Sequence, residues 1–93
     1  MAAYVVVHVT KKDDEKYEEY ASVAGPSIIA NGGEILTRGP STVLAGNSKH
    51  SMMVIAKFAS REEAEKWYNS AEYQAIIPTR EKAMVAVFVL GGE

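Results

Sequence analysis

Ninety-three residues with 47% hydrophobic and 24% charged side chains and a net charge of −2 describe one ordinary globular domain, 1–93. No cluster of lysine and arginine is large enough to neutralise a phosphate backbone, so nucleic acid is not an expected partner. The absence of cysteine excludes disulfides, thiolate zinc sites and thiol nucleophiles, and fits a reducing cytoplasm.

The N-terminal MAAYVVVHVT has no basic stretch ahead of its apolar run, so no export leader is expected. Within it Ala3–Val9 is short, β-branched and aromatic, which predicts a strand. Asp13, Asp14 and Glu15 then place acid at the start of a helix, with Asp13 as N-cap. Tyr17, Tyr20, Ala21, Ala24 and Ile28 recur on one face of that helix, and Pro26 is expected to kink or divide it. Asn31, Gly32 and Gly33 end it, because Asn and Gly accept the left-handed conformation of a C-cap.

A second strand is predicted over EILTR, interrupted at Gly39-Pro40 by a bulge or edge feature and resumed over TVLAG before the turn GNSKHS. Met52–Phe58 is the third strand. Ser60 and Glu63 have capping-box spacing and open a helix that carries Ala64, Trp67 and Tyr68 on one face. Ser70 caps a second short helix, limited or bent by Pro78. MVAVFVL is the fourth strand, and Gly91, Gly92 and Glu93 are expected to fray. The longest apolar run, AMVAVFVL, has eight residues, against the roughly 20 that a membrane helix requires. No membrane partner is therefore expected, and the cytoplasm is the expected location.

The order β-α-β-β-α-β suits an α+β, ferredoxin-like fold, a four-stranded antiparallel sheet with helices on one face. The other face of such a sheet is polar in a monomer. Here both sides of three strands are largely apolar: Val5, Val7 and Val9 alternate with Tyr4, Val6 and His8; Val85, Val87 and Val89 with Ala86 and Phe88; Val54 and Ala56 with Met53 and Ile55. A patch of that size favours covering, and a second copy of the chain, sheet facing sheet, is the expected partner.

The residues Tyr17, Glu19-Tyr20, Pro26, Gly32-Gly33, Arg38-Gly39, KFAS at Lys57–Ser60, WYNSAEYQ at Trp67–Gln74 and Arg80 resemble the "domain of unknown function" family numbered 1330, in the dimeric α+β barrel superfamily. The resemblance covers nearly the whole chain and implies the ferredoxin-like fold and the sheet-to-sheet dimer. It implies no settled activity. The wider superfamily includes cofactor-free monooxygenases, lactone isomerases, haem-handling enzymes and stress-induced barrel proteins, which use the cleft between helices and sheet or the barrel interior. The chain departs from the family pattern at Ala71, where Pro often follows the Ser, and at Lys57, where an acid is common.

His8 is either a general base inside the dimer barrel or a hydrogen-bonded interface histidine. His50, in a serine- and lysine-containing turn, is expected to be solvated. The histidine spacing gives no metal site, and no cofactor is implied. Arg38 and Arg80 can each offer a fork to a carboxylate or phosphate, or form structural ion pairs, Arg80 for example with Glu72. Tyr20, Trp67, Tyr73 and Arg80 either edge a ligand cleft or pack as core. The expected function is a small-molecule-binding protein or cofactor-free enzyme, monooxygenase- or isomerase-like, acting on a small organic compound. In it His8 or Tyr73 transfers a proton and Tyr20, Arg38, Trp67 and Arg80 bind the ligand. The alternative is a non-enzymatic dimeric module for regulation or protein interaction.

Overall fold

The structure, a computed structural model, describes residues 2–92. Its elements are β1 (Ala3–Lys11), α1 (Asp14–Ala30), β2 (Glu34–Pro40), β3 (Met52–Phe58), α2 (Arg61–Tyr68), α3 (Ala71–Ala75), α4 (Ile77–Ala83) and β4 (Met84–Gly92). The strands form one antiparallel sheet in the order β2-β3-β1-β4, with each half of the chain contributing an outer and an inner strand. This is the ferredoxin-like α+β fold.

Side-chain alternation decides which face the helices cover. Val5, Val7 and Val9 of β1 are buried with Ala56 and Phe58 of β3 and Met84 of β4, under Tyr17, Tyr20, Ala24 and Ile28 of α1 and Ala64 and Trp67 of α2. The expected stripe on α1 is thus the one that packs, with Ala21 at its half-buried edge. The caps form where the sequence places them. Asp13 accepts from the Lys16 amide at 3.0 Å, Ser60 from Glu63 at 3.1 Å and Ser70 from Tyr73 at 3.3 Å.

Four expectations need correction. Helix α1 runs through Pro26 as one element, not two, with Ser22, whose carbonyl Pro26 has no N–H to reach, exposed to solvent. The irregularity in β2 is a register shift between Ile35 and Thr37, while Gly39 and Pro40 stay paired with Met53 and Met52 on an edge strand that tolerates proline. TVLAG does not resume the strand: residues 41–51 have no regular structure, and Leu44 is 96% exposed. Gly91 and Gly92 do not fray but pair with Tyr4 and Ala3, whereas Glu93 lies outside the described residues. In addition Pro78 begins a helix: it occupies the first turn of α4, where its missing N–H costs nothing. Among the described residues no helix is long and apolar enough to cross a membrane.

Candidate functional site

Three places hold the candidate residues: a buried aromatic network, a cleft under α1, and the uncovered face of the sheet.

The network lies where α1, α3, α4 and β4 meet. Tyr73 is fully buried, and its hydroxyl lies 2.8 Å from that of Tyr20. Arg80 Nη1 donates to the hydroxyls of Tyr73 at 3.1 Å and Tyr68 at 3.0 Å. The same guanidinium lies over the Phe88 ring, 4.9 Å from its centroid. Its acidic neighbour is Glu81 at 3.6 Å; Glu72 instead accepts from Asn31. Burial pushes the Tyr20 hydroxyl far above the usual phenol range, reinforced by Tyr73 beside it. Burial also raises Tyr73, against the opposing hydrogen bonds from Tyr20 and Arg80. Both hydroxyls therefore stay protonated at neutral pH.

Trp67 joins this network to the core. Its ring stacks on Phe58 at 5.5 Å and lies tilted against Tyr73 at 4.6 Å, and its Nε1 donates to Ser27 Oγ at 3.0 Å. Ser27 in turn donates to the Ala24 carbonyl at 2.7 Å, so this buried polar group is fully used. Sequence reasoning missed Ser27, although it follows Ala24 by three residues on the buried stripe of α1.

The cleft runs between α1 and the sheet, with a volume of about 60 Å³. Trp67, Tyr20 and the valines of β1 form its floor and sides, and Tyr17, Ile35 and Arg38 line it as well. Of the four residues expected to edge a cleft, Tyr20 and Trp67 do so; Tyr73 and Arg80 are not among its lining groups and are paired with each other and with Tyr20 and Tyr68. Arg38 projects to this side because its register partner is Val54, a helix-face residue of β3. Burial raises the Tyr17 hydroxyl above its ordinary pKa, Arg38 acts against the rise and Glu18 adds to it.

His8 lies on the opposite face of the sheet, between Met53 and Val87 in register. That face exposes Val85 at 52%, Val87 at 48% and Val89 at 51%, with Tyr4 and Leu36 also open to solvent. Lys57 lies opposite Glu34 in the ladder. His8 shares a concave region with Thr10, Lys49 and His50. His50 is half-buried rather than freely solvated, and its Nδ1 lies 2.9 Å from Thr10 Oγ1. Among the described residues no three histidine, aspartate or glutamate side chains gather as metal ligands.

The profile of the domain of unknown function DUF1330 matches residues 2–91. The chain belongs to this family. No curated protein matches it. Among solved structures, it is similar to a protein of unknown function from Rhodopseudomonas palustris, at 16% identity and a TM-score of 0.79 over 99% of this chain and 82% of the other. It is similar to SnoaB, a cofactor-independent oxygenase from Streptomyces nogalater, at 9% identity and a TM-score of 0.72 over 99% and 92% of the two chains. It is also similar to a dimeric ferredoxin-like protein of unknown function from Thermobifida fusca, at 13% identity and a TM-score of 0.68 over 100% and 92%. At these identities the likeness carries the fold, which the DUF1330 chain shares with oxygenases and with proteins of no assigned activity.

Proposed function

We propose that this DUF1330 protein is a homodimeric small-molecule-binding protein that holds a small organic compound in the cleft between α1 and the sheet. The observation that carries the reading is the cleft itself. A void of about 60 Å³ left in a core this small forfeits on the order of 1 kcal/mol, by the usual cost per unit of cavity volume. A longer side chain at Ala24 or Ala56 could occupy that space, and neither position carries one. Its walls are apolar and aromatic with few polar groups, the pattern of a ligand site. Dimerisation through the open face leaves the cleft accessible, because the two lie on opposite sides of the sheet.

The likeness to a cofactor-independent oxygenase is compatible with chemistry in such a cleft, but neither residue expected to transfer a proton lines it. His8 is across the sheet, where it would face the interior of a dimer barrel, and the Tyr73 hydroxyl is bonded to Tyr20 and Arg80. Binding is therefore the reading favoured, ahead of catalysis by those two groups.

The test uses Trp67, the one tryptophan of the chain and part of the cleft wall, as reporter. Titration with the neutral probe 1-pentanol is expected to change Trp67 fluorescence saturably. Ala24→Leu, which fills the cleft from α1, is expected to abolish that response while keeping stability within about 1 kcal/mol of the parent. Loss of 1–3 kcal/mol in this variant, the usual consequence of overpacking, together with no response to the alcohol in the parent, would mean that the cleft is ordinary core.

A further inference from the structure

We propose that the ligand of this cleft is a small apolar monocarboxylate, held by its tail against Trp67 and by its carboxylate on Arg38 at the mouth. The inference rests on the cleft reading above and adds the chemical class of what enters it.

Three observations carry it. First, Arg38 is the one cation that lines the cleft. Among the described residues it makes no ion pair or hydrogen bond, while Arg80 is committed to two tyrosine hydroxyls. A guanidinium on the rim of an apolar cavity offers a planar fork that fits a carboxylate with two parallel hydrogen bonds. Second, the Tyr17 hydroxyl lies within the electrostatic reach of Arg38 on the same cleft and has no hydrogen-bond partner among the described residues, although none of the buried polar atoms is left unsatisfied. It is therefore open to the cleft or its mouth and available as a neutral donor beside the fork. Third, the charges acting on Tyr17 select a monoanion. Lys11 Nζ sits 4.4 Å from the centre of its ring and Arg38 acts on its hydroxyl, while Glu18 opposes them. Of these charges only that of Arg38 lines the cleft, and a single cation there matches a carboxylate better than a phosphate dianion.

Size narrows the class. A single water needs about 10–15 Å³ of cavity space, so about 60 Å³ takes a tail of roughly four to six non-hydrogen atoms. Besides Arg38, the polar side chains of the lining are Tyr17, Tyr20 and Trp67, and the Tyr20 hydroxyl and Trp67 Nε1 are already bonded. Short aliphatic acids therefore fit better than hydroxy acids or sugars acids.

Sodium pentanoate and 1-pentanol, titrated into the full chain with Trp67 fluorescence as readout, separate the two proposals. Pentanoate is expected to bind at least tenfold more tightly than the alcohol. Arg38→Gln, at an exposed position on an edge strand, is expected to remove that preference, so that the variant binds pentanoate no more tightly than the alcohol. Tyr17→Phe is expected to weaken pentanoate severalfold and the alcohol little. Equal binding of acid and alcohol in the parent, or a preference that survives Arg38→Gln, overturns the carboxylate assignment and leaves the cleft reading standing. No binding of either compound overturns both.

Discussion

Tyr20 and Tyr73 place two hydroxyls 2.8 Å apart in a core where neither can ionise cheaply, and this gives the molecule an alkaline limit. Burial raises Tyr20, Tyr73 and Tyr17 above the phenol value that each regains in the unfolded chain. Above about pH 10 the unfolded state therefore loses protons that the folded state keeps. Stability from these groups is complete below the unfolded value and falls as pH rises above it, by about 1.4 kcal/mol per pH unit for each group so delayed. Urea unfolding between pH 8 and pH 11.5 is expected to show a plateau and then that decline. Tyr73→Phe is expected to cost about 1–2 kcal/mol at pH 8, through the lost hydrogen bonds, and to make the alkaline decline shallower. An unchanged slope would mean that Tyr73 ionises as freely in the folded chain as in the unfolded one. Residue identity alone put Tyr73 and Arg80 in one set with Tyr20 and Trp67, edging a cleft or packing as core; what it could not give was direction. Tyr73 and Arg80 point into a sealed junction of helices, because α4 follows α3 without a loop and turns Arg80 back onto Tyr68 and Tyr73. That turn depends on Pro78 starting a helix, and a proline after a short helix reads equally well as a stop.

At the scale of elements, Gly32 and Gly33 illustrate how two residues of one type meet different demands. Together they end α1, as the Asn-Gly-Gly run indicates, but only Gly32 has the left-handed conformation, with φ of 86°. A Cβ on Gly33 would lie 2.5 Å from Phe58 Cε2 and 2.8 Å from Ile28 Cγ2, inside the core. Its need is for space, set by the close passage of the chain under Phe58 as it enters β2. Gly32→Ala is expected to cost about 1–2 kcal/mol through backbone strain. Gly33→Ala is expected to cost at least as much, and to perturb the Phe58–Trp67 stack as well, since both atoms it would meet are ring or branched-chain atoms locked in packing. Denaturation with near-ultraviolet circular dichroism checks this: the aromatic signal should change in Gly33→Ala and persist in Gly32→Ala. Equal spectra in the two variants would count against the crowding argument. Patterning was enough to give the strands, the capped helices and the buried stripe of α1, because each is a local rule written in consecutive residues. The fate of residues 41–51 was not legible, since an apolar TVLAG has strand propensity whether or not a neighbouring strand is there to pair with it. The place of Arg38 at the cleft follows from a register shift two residues earlier, a tertiary event that the local sequence does not announce.

For the whole molecule, the open face of the sheet is the feature that bears on the proposed dimer. Along β4 the exposed residues Val85, Val87 and Val89 continue into Val6 and Ile55 on the neighbouring strands, so the apolar surface crosses the sheet rather than lying on one strand. Apolar area is worth roughly 25 cal/mol per Å² removed from water, and a standard interface removes about 800 Å² from each partner. A sheet of four strands can supply that area by facing its own copy about a two-fold axis. Among the described residues no helix covers it, since α1 to α4 all pack on the side of Val5, Val7 and Val9 or at its edge, while residues 47–50 border it beside His8 and Thr10. Light scattering at micromolar concentration is expected to give a mass of two chains. Val87→Asp, central in the row and opposite His8, buries a carboxylate in the contact and is expected to shift the mass to one chain without unfolding the sheet, because Val87 makes no part of the helix-side core. Melting temperature gives an independent reading: it should rise with protein concentration in the parent, where folding is linked to association, and be independent of concentration in the variant. A parent that runs as one chain with a concentration-independent melting temperature would leave this face as an exposed apolar patch, and would move the search for a partner from a second copy to another protein.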